Sequence, residues 1–281
     1  MAEKLSDIEA RIGSVRQLSA VITAMRGIAA ARSRDANARL GGVHAYAATV
    51  GAGIAQALAL LPGASPPPSH TDPAAQLIIA LCAEQGFAGG FNNPVLDKAS
   101  EAVQARDAEI LLVGDRGMMA AHERGMEIMN ALPMASHADE VPALANRISE
   151  LLLARASKGH DMRVTLIHVM PGAAQPGRVI SRQLLPFDYS LFPPVSRSQS
   201  PIVTLPPPTL LARLTEEYLF AQLCEALLLS HAAENEARMR AMVAARDNVS
   251  RKLDELTGRS RLLRQEAITA EVIELASGSM N

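Results

Sequence analysis

Tryptophan is absent, and five phenylalanines with three tyrosines bring aromatics to only 3% of 281 residues. Small-molecule sites are lined mainly by aromatic and bulky apolar side chains, so this scarcity argues against an aromatic-walled pocket. Cysteine is scarce too. Cys82 and Cys224 are far apart and form no CxxC or metal-type spacing, which reads as buried thiols in a reducing compartment. A spanning helix needs about 20 apolar residues. The most apolar run, Ala47 to Leu61, is broken by Gly51, Gly53 and Gln56. The start, Met1-Ala2-Glu3-Lys4, lacks the charged-then-apolar order of a signal peptide. A soluble protein is expected, with no direct membrane insertion and any membrane connection made through a partner.

Proline is missing from both ends of the chain, before Pro62 and after Pro208. What is present there is helix former: the 48% apolar content is mostly alanine, leucine, valine, isoleucine and methionine. Leu5, Ile8, Ile12, Val15, Leu18, Ile22, Met25 and Ala29 recur three and four apart, a narrow seam of the coiled-coil kind. The spacing predicts a coiled-coil helix in each end segment, 1–61 and 209–281: about 55 helical residues from roughly Lys4 to Leu60 and about 70 from Thr209 to about Ser277, or about 80 and 105 Å at 1.5 Å per residue. Gly258 is the main weak point of the second.

The middle reads differently. After a stiff linker over 62–75 with Pro66-Pro67-Pro68 and Pro73, short apolar runs alternate with helix-like stretches. Leu77 to Leu81 and Ile110 to Val113 read as buried strands, about Glu140 to Ser157 as a helix, and Arg163 to Val169 with Val179 to Leu185 as a closing hairpin. Residues 76–186 are therefore expected to form a small Rossmann-like α/β domain, followed by a proline-rich linker over 187–208. The fold class is α/β, with a long antiparallel coiled coil of the two chain ends added to that domain.

Charge supports the meeting of the ends. The net charge is −2. Residues 11–40 nevertheless carry six arginines against Asp35, and residues 238–264 carry eight basic side chains against Asp247, Asp254 and Glu255. Each segment is +5, and pairing them makes one basic surface. The alternative is two separate solvated helix faces.

Catalytic signals are weak throughout. Gly86-Phe87-Ala88-Gly89-Gly90 follows the first strand, where a phosphate-binding turn would lie. It fits neither GxGxxG nor GxxxxGK[ST]. A tight strand-to-helix turn using the freedom of Gly86, Gly89 and Gly90 is the better reading. Asp115-Arg116-Gly117 reads as a turn with a local ion pair. No HxxxH, HExxH or GxSxG pattern occurs, and no nucleophile, base and oxyanion site assemble. Catalytic, cofactor-binding and metal-binding residues are all expected to be none, and no nucleic acid or small-molecule substrate is indicated.

Several segments, in order, carry a resemblance. Ile22 to Arg32 reads ITAMRGIAAAR, Gln85 to Asn92 reads QGFAGGFN, and Arg182 to Pro186 reads RQLLP. Glu236 to Met242 reads EARMRAM, followed by Asp247-Asn248, by Arg264 to Thr269 (RQEAIT), by Glu271 and by Ser277-Gly278. Together they resemble the gamma subunit of F-type ATP synthases over nearly the whole chain. The resemblance implies a rotor shaft without catalysis of its own. It would turn inside a ring of alpha and beta subunits and stand on the epsilon subunit and a membrane-embedded ring of c subunits. It would thereby couple proton or sodium flow to ATP synthesis or hydrolysis.

By the same resemblance, Met25 matches a family methionine near the lever contact of the beta subunits, with Arg26 beside it. Arg238 matches a basic residue packed close to that methionine. Gln265 and Thr269 match residues of coupling, in one block with Arg264 and Glu271. The implied location is the cytoplasmic face of a bacterial inner membrane, peripheral through the complex. Ala88 stands where cysteine is usual, Glu84-Gln85 where Asp-Arg is usual, Gly27 where a bulkier residue is usual, and Glu266 where alanine is usual. Both the main-line synthase and the divergent ATP-hydrolysing, sodium-pumping branch remain open.

Overall fold

The computed structural model describes residues 5–61, 75–106, 108–156, 162–172, 175–193 and 202–278. The stiff connector expected around Pro66–Pro68 and Pro73 lies outside these residues, as do 194–201 of the proline-rich stretch. Two compact units emerge: Met1–Ala29 with Arg238–Asn281, and Ala30–Ala237.

Two helices contribute to both units, α1 (Leu5–Ala59) and α5 (Pro207–Gly278). α5 opens on prolines because a first-turn residue needs no amide hydrogen bond. The Pro206 carbonyl accepts from the Leu210 amide at 2.9 Å.

In the larger unit, five strands lie in the order β3-β2-β1-β4-β5. They are β1 (Ala75–Leu81), β2 (Glu109–Val113), β3 (Asn130–Leu132), β4 (Met162–Met170) and β5 (Arg178–Leu185). The first four are parallel, and β5 closes the β4 edge as an antiparallel hairpin partner. Crossovers are α2 (Asn92–Arg106), α3 (Asp115–Glu123) and α4 (Val141–Ala156). The three-residue β3 is too short to show a period in the sequence.

Both faces of the sheet are covered, which is why its strands read as continuous apolar runs. Leu77, Ile79, Leu81, Leu111, Val113, Val164 and Leu166 pack with Leu144 and Ile148 of α4 and Leu223 and Leu227 of α5. Ile78, Ala80, Ile110, Leu112 and Ile167 face Val95, Leu96 and Ala99 of α2. Within this unit α1 and α5 run antiparallel. His44 meets Glu225, Gly51 lies against Tyr218, and Gly53 lies against Leu214. The stretch after β5 contributes an aromatic cluster: Phe187 with Tyr189 and Phe192, and Tyr218 with Phe187 and Phe192, ring centres 4.8–5.8 Å apart.

The smaller unit has two helical segments and a narrow seam. Ile8, Ile12 and Leu256 are buried there, with Val15, Leu253 and Leu263 packed beside them. Ile22 and Ala29 are also buried, whereas Leu18, on the same expected stripe, is 50% exposed.

Candidate functional site

The carboxyl ends of the parallel strands are where an open α/β sheet normally places its chemistry, at the point where strand order reverses. Here that point lies between β1 and β4. The loop leaving β1 is held by carboxylates and amides of the chain itself. Glu234 of α5, only 3% exposed, accepts from the backbone amides of Glu84 at 3.3 Å and Gln85 at 3.2 Å. Glu236 accepts from the Gly172 amide, in the loop after β4, at 3.2 Å. Glu84 itself reaches sideways and accepts from the amides of Asp115 at 3.2 Å and Met134 at 2.7 Å. The side chain of Asn92 accepts from the Ala83 amide at 2.8 Å, and Arg32 of α1 donates to the Gln85 side chain at 2.9 Å. Thus the loop after β1 is tied to both long helices and to the loops after β2 and β3.

An open cavity of about 320 Å³ lies beside this loop, lined by Gln85, Phe87, Phe91, Asn92 and Arg116 among others. The left-handed backbone falls on Gly89 (φ 60) and on the exposed Phe87 (φ 62), not on Gly86 or Gly90. Asp115-Arg116-Gly117, expected as a turn with an ion pair, is the first turn of α3. The Arg116 guanidinium donates to the Met119 sulfur at 3.4 Å instead. The reason is the Glu84 carboxylate, which accepts from the Asp115 amide at the helix start, where free amides favour an anion. Burial, and then the nearby Glu234 charge, push the Cys82 thiol up to about 12. Burial pushes Cys224 to about 11. Neither is a ready thiolate nucleophile.

A second polar group lies on the β4–β5 edge. Arg182 donates to Glu225 at 3.0 Å, and Glu225 also pairs with His44 at 3.1 Å. Burial alone would raise the Glu225 carboxyl, but bonds and charge from Arg182 and His44 outweigh it and hold it below the usual range. His168, completely buried on β4, is pushed down to about 4 by burial and by the Arg182 charge.

The residues for which the resemblance implies coupling lie in the smaller unit. Met25 and Arg26 are half-buried. Arg238 is 4% exposed, so it is an interior cation rather than part of the outward basic surface expected from the two +5 segments. Arg264 donates to Glu9 at 2.8 Å. Gln265, Thr269 and Glu271 are exposed, and the Thr269 hydroxyl donates to the Gln265 carbonyl one turn back at 2.8 Å. Glu84, Glu234 and Glu236 are what sequence reasoning missed. The available signal was the run His231, Glu234, Asn235, polar residues at helical spacing where an apolar seam should continue. His231, Glu234 and Asn235 are all buried.

Among the described residues, no group of His, Cys, Asp or Glu is assembled to hold a metal, and no helix is long and apolar enough to cross a membrane. The ATP synthase gamma chain of Sulfurovum sp. (strain NBC37-1) is 27% identical, covering 98% of this chain and 97% of that relative. That of Gluconacetobacter diazotrophicus is 28% identical, covering 98% of each. Among solved structures, a chain of the Euglena gracilis mitochondrial ATP synthase (OSCP/F1/c-ring, rotational state 3) is similar with a TM-score of 0.67. It is 13% identical, covering 98% of this chain and 93% of that one. A chain of the Tetrahymena thermophila mitochondrial ATP synthase (central stalk/c-ring) has a TM-score of 0.60 at 22% identity, covering 80% and 99%. A model of the family described as ATP synthase matches residues 4–280, so the chain belongs to the ATP synthase family.

Proposed function

We propose that the chain is the gamma subunit, the central stalk, of an F-type ATP synthase. The observation that carries this reading is a family match running almost end to end over a fold in which both chain ends are long helices. Such a subunit couples ion flow through a membrane ring of c subunits to ATP synthesis or hydrolysis in a ring of alpha and beta subunits. Its foot rests on the c ring and epsilon, at the cytoplasmic face of a bacterial inner membrane. The bacterial sources of the gamma-chain relatives support that location.

On this reading the chain has no catalysis of its own. The amides of Glu84 and Gln85, where a Rossmann-type site would hold phosphate, already receive the Glu234 carboxylate. Cys82 and Cys224 are protonated thiols at neutral pH. ATP is handled by the partners, and the stalk acts by its asymmetry as it turns.

Met25 and Arg26, with the block Arg264, Gln265, Thr269 and Glu271, are the proposed rotor–stator contact. Adding charge there should stabilise one angular state more than others and raise a barrier to turning, while assembly persists. Exposed ion pairs contribute only about 0–1 kcal/mol each. The test is Met25→Lys in the complex assembled with alpha, beta, epsilon and c subunits. The number of ions pumped per ATP hydrolysed in membrane vesicles should fall. An unchanged ratio would remove Met25 from the contact, and failure of the wild-type chain to co-purify with alpha and beta subunits would sink the stalk reading itself.

A further inference from the structure

The Glu234 carboxylate, buried on α5, and the half-buried Glu236 beside it are costly unless each is satisfied, and simple docking of a helix on a sheet does not need them. Glu234 and Glu236 are two residues apart, which places them about 200° apart around the helix axis. They grip different loops. Glu234 takes two amides from the loop after β1, and Glu236 takes one from the loop after β4. β1 and β4 are adjacent parallel strands, so these two loops flank the switch-point crevice. Apolar packing such as Leu223 and Leu227 against the sheet is non-directional and resists sliding or rolling of a helix only weakly. Hydrogen bonds to fixed backbone amides on two sides resist both.

We infer that Glu234 and Glu236 form an intramolecular clamp that locks α5 against rotation about its own axis and sliding in the switch-point crevice. They are thereby positioning residues for the passage of torque between the α/β sheet and α5. The torque role rests on the central-stalk reading; the clamp itself does not. Arg32, donating to Gln85 from α1, ties the second long helix to the same loop. Glu84, bound to the amides of Asp115 and Met134, stiffens that loop against β2 and β3.

The test has two arms, both with Glu234→Gln. Glutamine has the same shape but turns an amide donor toward one backbone donor, so one bond is lost. In the purified full-length chain, hydrogen exchange at the Glu84 and Gln85 amides should speed up about tenfold, with β2 amides unchanged. Unchanged exchange at Glu84 and Gln85 overturns the clamp. In the complex assembled with its partner subunits, ions pumped per ATP hydrolysed should drop by more than half. Glu234→Asp, which keeps the charge and both acceptor oxygens, should restore most of that ratio. Faster exchange with a wild-type ratio overturns the torque role. Should Glu234→Gln fail to assemble, Glu236→Ala, which removes the acceptor of the Gly172 bond, carries the same measurement, with a smaller drop expected and an unchanged ratio again overturning the role. If the exchange arm holds while the wild-type chain supports no pumping at all, the central-stalk reading has failed and the clamp stands as an intramolecular contact only.

Discussion

The sheet-bearing unit and the two-helix unit cover their apolar side chains to very different degrees. From Leu77 to Leu81 no residue is more than 2% exposed, because helices lie on both faces of the sheet. In the smaller unit Leu18, Val21, Ile28, Leu262, Ile268, Val272, Ile273 and Leu275 are all at least half exposed. Two helices can bury only the stripe that each turns to the other. The sheet of the larger unit is therefore covered by the chain's own helices, whereas the helices of the smaller unit retain apolar surface of the kind a surrounding partner covers. On the central-stalk reading that partner is the catalytic ring.

Core truncation should show this contrast most strongly. Ile79→Ala removes a fully buried side chain at the centre of the sheet and should cost about 4 kcal/mol of unfolding free energy. All three tyrosines, Tyr46, Tyr189 and Tyr218, lie in the larger unit, so urea unfolding followed by tyrosine fluorescence reports on it alone. Leu256→Ala in the thin seam should cost about 2 kcal/mol, the low end for such a change, and should be read by far-ultraviolet circular dichroism. Equal losses would erase the distinction between the units.

Backbone strain sharpens the contrast next. Gly114 has φ 113, and a Cβ there would lie 2.6 Å from the Cys82 carbonyl oxygen. Gly114→Ala should cost about 3 kcal/mol, combining a forbidden conformation with a close backbone contact. A full-strength fluorescence transition at the wild-type urea midpoint would refute the tight approach of β1 and β2 at this point.

The two units should also respond differently to pH. His168 titrates at about 4 in the folded chain and near 6.5 when unfolded. The folded state binds this proton less well, so its contribution is complete above about pH 6.5 and is lost as pH falls from there through 4. The full loss is about 3 kcal/mol. His168→Leu should flatten fluorescence-detected stability between pH 6.5 and 4.5, and an unchanged slope would mean that the histidine is not the titrating group. The smallest effect belongs to the exposed pair of the smaller unit. Arg264→Ala removes the bond to Glu9, with both side chains about half exposed or more, and should cost less than about 1 kcal/mol. A loss above 2 kcal/mol would show that this pair holds the seam together.

The sequence made much of the fold readable because its signals are local. Apolar residues three and four apart at the proline-free ends marked helices, and short runs such as Leu77 to Leu81 marked strands buried on both faces. Asn130 to Leu132 carried no such signal, since three residues are too few for a period and their pairing with β2 is non-local. The Arg116 turn was misread because the carboxylate at the start of α3, that of Glu84, comes from thirty-one residues earlier.

The ordered run of segments from Ile22 to Gly278 was enough to indicate the family without any structure. The buried carboxylate site is a different matter. Glu234 and Gln85 are 149 positions apart, and nothing in either neighbourhood specifies the other. Likewise Arg238 looks like a surface charge by type and becomes an interior one only through packing. Periodicity and composition thus determined which segments are helix or strand and which faces are apolar. The tertiary structure alone decided which polar groups meet, because burial and hydrogen bonding between distant segments depend on how the chain closes on itself.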